Sequence, residues 1–141
     1  MLDNHLESDQ RKIRGVVVPP TEPRKLLGCY WGYTVRLANS LSDAITGGKY
    51  EYDLTIGTSE RGTDINETNL PNNFSHALIV IGGVKGLEYS LEGDIHLEVD
   101  KVEDLFDKYL NVCPKQGSRT IRTEEAILII LSALHPKILT R

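Results

Sequence analysis

The sequence predicts an α/β protein with a mainly parallel sheet flanked by helices. Three observations predict it. The β-branched runs YDLTIG (Tyr52–Gly57) and HALIVI (His76–Ile81) read as short buried strands. Around them lie stretches whose apolar residues recur at three- and four-residue steps, the spacing of amphipathic helices. Each strand ends in a segment rich in glycine and hydroxyls, and sheets of this class bind ligands beyond the carboxyl ends of their strands.

Taken in order, residues 1–10 are polar, and Arg11–Val18 (RKIRGVVV) suits a strand stopped by Pro19 and Pro20. Thr21–Lys25 then reads as a linker, so residues 1–25 form a tail ahead of a domain spanning 26–141. The basic residues Arg11, Lys12, Arg14, Arg24 and Lys25 make either a solvated surface or a phosphate-contacting arm. From Tyr30 to Ile45 the apolar positions Tyr30, Val35, Leu37, Ala38, Leu41, Ala44 and Ile45 suggest a helix closing at Gly47 and Gly48. After the first strand, Thr58–Asn73 is a long polar loop; after the second come Gly82 and Gly83. Val99–Tyr109 suits a short helix with Val102, Leu105, Phe106 and Tyr109 inward. Leu110–Cys113 is a third strand, and Glu124–Leu134 a helix ended by Pro136.

A chain of 141 residues fits one domain that buries roughly two-thirds of its unfolded surface. With 40 % hydrophobic and 26 % charged residues it has the makeup of an ordinary folded protein. The net charge of −4 lacks the footprint of a chain that wraps a nucleic-acid backbone, so any RNA contact is local. The longest apolar run, Ala126–Leu131, is far short of a membrane span, and the first ten residues lack a signal peptide's apolar segment. The expectation is a soluble intracellular protein of the cytoplasm or nucleus, the nucleolus included, with no membrane partner. Cys29 and Cys113 stand apart from each other and from any Cys/His cluster, so neither a disulfide framework nor a metal site is expected. Trp31, Tyr30 and Tyr33 suit a core or dimer contact, with base stacking as the alternative.

Three strand-end segments carry the chemistry. In GTSERG, exposed backbone N–H groups and the Arg61 guanidinium can hold an anion, with a structural turn bearing a surface ion pair as the alternative. In GGVKGLE, glycines let main chain approach a flat ligand, with a plain glycine turn as the alternative, and the spacing is not that of a dinucleotide fingerprint. In NVCPKQGSRTIRTEE, a cap at Thr123 explains the start of the last helix, with Glu124 and Glu125 in its first turn. It leaves Gln116, Ser118, Arg119, Thr120 and Arg122 unexplained, which reads as a ligand-holding loop.

Four segments in order, YWGYTVRLANSLS (30–42), YDLTIGTSERG (52–62), HALIVIGGVKGLE (76–88) and NVCPKQGSRTIRTEEAIL (111–128), resemble the SPOUT-domain RNA methyltransferases that carry an inserted RNA-binding barrel. The resemblance implies an α/β knot whose C-terminus is threaded as a trefoil, S-adenosylmethionine as cofactor, a homodimer, and methylation of a uridine in ribosomal RNA. It places Thr58, Ser59, Arg61, Gly62, Gly82, Gly83, Leu87, Asn111, Cys113, Gln116, Gly117, Ser118, Thr120, Ile121 and Thr123 at the cofactor, with Ile81, Leu87 and Ile121 against the adenine. Arg119 and Arg122 fall to the RNA, and Arg61 and Glu60 to catalysis. Members of the family are longer, so the chain looks like the C-terminal knot portion without the barrel. Two rival readings are a knotted dimer serving as a non-catalytic scaffold and a nucleotide-binding α/β protein.

Overall fold

The computed structural model describes residues 15–28 and 33–139 and divides the chain into two units, Met1–Leu37 and Ala38–Arg141. In the first, α1 (Glu22–Leu27) replaces the expected linker. Pro23 presets the first turn, Glu22 and the pair Arg24 and Lys25 match the two poles of the helix dipole, and Gly28 closes the helix at φ 62°. Val16–Val18 are irregular rather than a strand, because a β-branched run becomes one only against a hydrogen-bonding neighbour. Arg11, Lys12, Arg14, Cys29, Tyr30 and Trp31 lie outside the described residues.

Of the helix expected over Tyr30–Ile45, the described residues form only α2 (Leu41–Thr46), and residues 33–38 form no helix or strand. Tyr33, Val35 and Leu37 alternate with polar residues at a two-residue spacing, which builds no helical stripe. Ser40 sets the real start, its hydroxyl accepting from the Asp43 N–H at 3.1 Å.

Three parallel strands follow in the order β2 (Ala77–Ile81), β1 (Leu54–Asp64), β3 (Lys108–Asn111). Two carboxylates fix their starts. Asp53 accepts from the N–H groups of Ser75 and His76, both at 2.7 Å, and these bonds hold its pKa below the usual range. Asp107 accepts from the Thr55 N–H and hydroxyl at 2.7 and 2.8 Å. His76 stacks on Tyr50, with ring centroids 4.5 Å apart, as its position at a strand start suggests.

Successive strand residues point to opposite faces, and both faces are covered. On one, Leu54, Ile56, Leu110, Ile79 and Ile81 pack with Ile130 and Leu134 of α4 (Thr123–Leu139). On the other, Val80 and Tyr109 meet Leu87, Leu91, Val102, Phe106 and Ile45. The expected inner face of 99–109 is thus recovered, but as a 3₁₀ turn over Val102–Leu105 with Tyr109 already in β3. The sequence reading missed α3 (Glu88–Glu92). Pro136 does not end α4: the helix runs on to Leu139, because Ile138 still packs on the core and Lys137 Nζ donates to the Thr68 carbonyl at 2.9 Å.

The expected loop from Thr58 is instead the second half of β1. Thr58 and Thr63 both pair with Leu110, so Ser59–Gly62 buckle out between them. Gly62 lies flat on β3, where a Cβ would overlap the Leu110 backbone and come within 2.7 Å of the Asn111 nitrogen.

Asp94, buried behind α3, accepts from the Ser42 N–H at 2.6 Å, the Ser42 hydroxyl at 3.0 Å and the His96 N–H at 3.1 Å. The Ser42 backbone bond is the largest cause of a carboxyl pulled down to about 2 from 3.8, against the opposing effect of burial. A lowered folded-state pKa stabilises fully above the unfolded value and is lost as pH falls through the folded one. Between pH 3.8 and about 2 the Asp94→Asn variant should therefore lose stability less steeply than the parent. Urea titrations at pH 5, 3.5 and 2.5 measure the difference, and parallel pH profiles contradict it.

Candidate active site

A cleft of about 530 Å³ opens at the carboxyl ends of all three strands. Its first wall is the buckle in β1. The Ser59 hydroxyl accepts from the Arg61 N–H at 3.2 Å, and Arg61 Nη1 reaches Glu88 Oε1 at 3.2 Å. Asn111 braces this wall: its amide nitrogen donates to the Glu60 carbonyl at 3.0 Å, and its Oδ1 accepts from the Cys113 N–H at 3.1 Å. Beneath the buckle lies the buried Tyr109 hydroxyl, with no hydrogen bond of good geometry among the described residues. Burial pushes its pKa up, with nearby Glu88 and Glu60 adding to the rise and Ser59 and Arg61 opposing it.

The second wall is the turn after β2, closed by a Gly86 N–H to Gly83 carbonyl bond of 2.9 Å, with Leu87 buried behind it. The third is the segment between β3 and α4. Gln116 Nε2 donates to the Ser118 carbonyl at 3.0 Å, and the Gln116 N–H donates to the Cys113 carbonyl at 3.2 Å, so this side chain organises its own loop. The cap of α4 differs from expectation. Arg122 occupies the cap position, its carbonyl accepting from Ala126 N–H and its N–H donating to Glu125 Oε2 at 3.3 Å, half of a capping box. Thr123 lies inside the helix, and its hydroxyl donates to the Gly82 carbonyl at 3.3 Å, joining the third wall to the second.

Of the residues singled out in the sequence, Thr58, Ser59, Glu60, Arg61, Gly82, Gly83, Leu87, Asn111, Cys113, Gln116, Arg119, Thr120, Ile121 and Arg122 line this cleft, as does Ile81. Gly62, Gly117, Ser118 and Thr123 do not. Thr58 is buried, with its hydroxyl donated to the Val80 carbonyl at 3.0 Å, and serves the sheet. The sequence reading named the segment GGVKGLE as a whole without singling out Val84, Lys85, Gly86 or Glu88, and it passed over Val112, Ala126, Ile129 and Ile130; all of these also line the cleft. A signal for the helix residues was present, since Ala126, Ile129 and Ile130 recur at three- and four-residue steps. Glu88 offered none, because nothing local shows a carboxylate that its partner lies 27 residues upstream. The lining carries Arg61, Lys85, Arg119 and Arg122 against Glu60 and Glu88, a basic excess on a chain of net charge −4. The charge of the lining therefore suits a ligand with an anionic end. Among the described residues no three His, Cys, Asp or Glu side chains come together to hold a metal.

A family model described as "Putative RNA methyltransferase" matches residues 2–134. The chain belongs to this family. It is 56 % identical over 131 residues to a 28S rRNA (uridine-N(3))-methyltransferase of Drosophila melanogaster, covering 91 % of the chain and 27 % of that protein. The human protein of the same name is 53 % identical over 137 residues, 96 % of the chain and 36 % of its own length. The mouse protein is 55 % identical over 125 residues, 87 % and 32 %. The chain thus spans about a third of the curated relatives it matches. The resemblance read from four sequence segments agrees with this at the level of an RNA methyltransferase family, and the parallel α/β sheet it implies is present.

Proposed function

We propose that this chain forms the methyl-donor site of an S-adenosylmethionine-dependent methyltransferase acting on uridine N3 in large-subunit ribosomal RNA. The observation that carries the reading is the convergence of three strand-end segments on one cleft in a chain of this family. The residues present fit the donor. The volume lies within the range of small-molecule sites, about 300–1,000 Å³; Ile81, Leu87 and Ile121 offer apolar surface for adenine, and the glycine turn offers main chain at close range. Bound there, the donor supplies a methyl group carried on a sulfonium.

The protein's part is alignment and charge. Glu60, exposed on the buckle, accepts the imide proton of the uracil, and Arg61 faces negative charge in the cleft. Arg119 and Arg122, both exposed, hold RNA phosphates at the rim. The expected product of methyl-labelled donor and large-subunit rRNA is 3-methyluridine, resolved by nucleoside mass spectrometry; label in another nucleoside contradicts the assignment. Replacing both rim arginines by alanine should weaken RNA binding and flatten its dependence on log salt by about 2, one per lost phosphate contact. An unchanged slope removes them from the RNA.

The same proposal takes the fold to be a SPOUT-type knot and the molecule a homodimer. What supports the dimer is the outward row Ile127, Leu128 and Leu131 on α4, at 39, 72 and 44 % exposure. A chain sedimenting only as a 15.8 kDa species contradicts it. An unthreaded path of residues 111–139 in a crystal structure contradicts the knot.

A further inference from the structure

Arg61 and Glu88 come from different walls of the cleft and meet across its mouth, Nη1 to Oε1 at 3.2 Å. The pair is largely solvated, with side chains 72 and 37 % exposed, so as an ion pair it contributes little to stability. Gly86 takes φ 78°, which by itself calls for glycine, and Glu88 Oε2 lies where a Cβ on it would stand. One carboxylate oxygen thus lies beside the glycine and the other on the guanidinium. A single-point contact leaves the other donors of the five-donor fork unengaged by Glu88, on a residue that lines the cleft.

We propose that Glu88 is a positioning residue, seated against Gly86, that aims the Arg61 fork at an anionic oxygen of the ligand. This rests on the methyl-donor reading of the cleft. Two sources supply such an oxygen: the carboxylate at the amino-acid end of the donor and the uracil oxygen that gains charge as N3 loses its proton.

The test compares Glu88→Gln, Arg61→Ala and their double variant by calorimetric titration with S-adenosylhomocysteine and by methyl transfer to rRNA. If the donor carboxylate is the partner, each single change weakens S-adenosylhomocysteine binding about tenfold, the size of one charge-assisted hydrogen bond, and the double variant is no worse. If the uracil oxygen is the partner, that binding holds and methyl transfer falls by the same non-additive factor. Arg61→Lys retains an ion pair with Glu88 but loses the fork, so it must not rescue either readout. Additive losses, rescue by lysine, or no change in either readout overturn the proposal. A parent chain that binds no S-adenosylhomocysteine overturns the donor reading instead, and phenylglyoxal labelling of Arg61, followed by peptide mass spectrometry, then decides the clamp alone. Labelling several-fold faster in Glu88→Gln upholds it; an equal rate ends it.

Discussion

Gly83→Leu should abolish S-adenosylhomocysteine binding while leaving the melting temperature within about 2 °C of the parent. Gly83 stands on the cleft wall, and a Cβ built there has no atom of a non-neighbouring residue within 4 Å, so a side chain can start there without displacing protein. Its φ is not in the left-handed region, so leucine adds no backbone strain. The added side chain instead fills space the ligand needs. The Gly86 N–H to Gly83 carbonyl bond ties the turn, which limits how far the backbone can retreat from a bound ring. We expect a loss of at least about thirtyfold, near 2 kcal/mol of binding. Thermal scanning beside calorimetry checks both halves; undiminished affinity would place the ligand elsewhere.

Gly62→Ala should do the reverse, harming fold and site together. No soft side chain lies where the new methyl would go: the atoms it meets belong to the backbone of Leu110 and Asn111. Either the buckle lifts from β3 or β3 moves, and both loosen Leu110, which is 1 % exposed in the core beneath α4. Overpacking of this kind costs about 3 kcal/mol, which lowers the melting temperature by about 10 °C for a chain of this size. Asn111 then loses its 3.0 Å hold on the Glu60 carbonyl, so S-adenosylhomocysteine affinity should fall as well. A variant with the parent's stability would mean that β1 does not lie on β3 as described.

These two glycines show what the sequence made legible and what it hid. The strands 52–57 and 76–81 were readable because a β-branched run between glycines has few other folds open to it, and the cleft followed from where such strands end. What local pattern cannot carry is a partner distant in sequence. The buckle at 59–62 looked like a loop because its pairing residue, Leu110, comes about fifty positions later. Val35 and Leu37 were counted into a helix because three- and four-residue steps can be drawn through almost any apolar-rich stretch. Pro136 looked like a helix stop because its missing N–H is a local fact, whereas the packing of Ile138 and the Lys137 tie to Thr68 are tertiary ones. Thr123 was assigned as a cap from its residue type, yet Arg122 with Glu125 already satisfies the first turn and leaves the threonine hydroxyl for Gly82. Glu88, whose partner Arg61 lies 27 residues upstream, belongs to the same class.

The account stands most directly on calorimetric titration of the full chain with S-adenosylhomocysteine. One saturable site per chain, lost in Gly83→Leu and retained in Asp94→Asn at neutral pH, is the predicted result. No heat of binding, or binding that Gly83→Leu leaves intact, contradicts it.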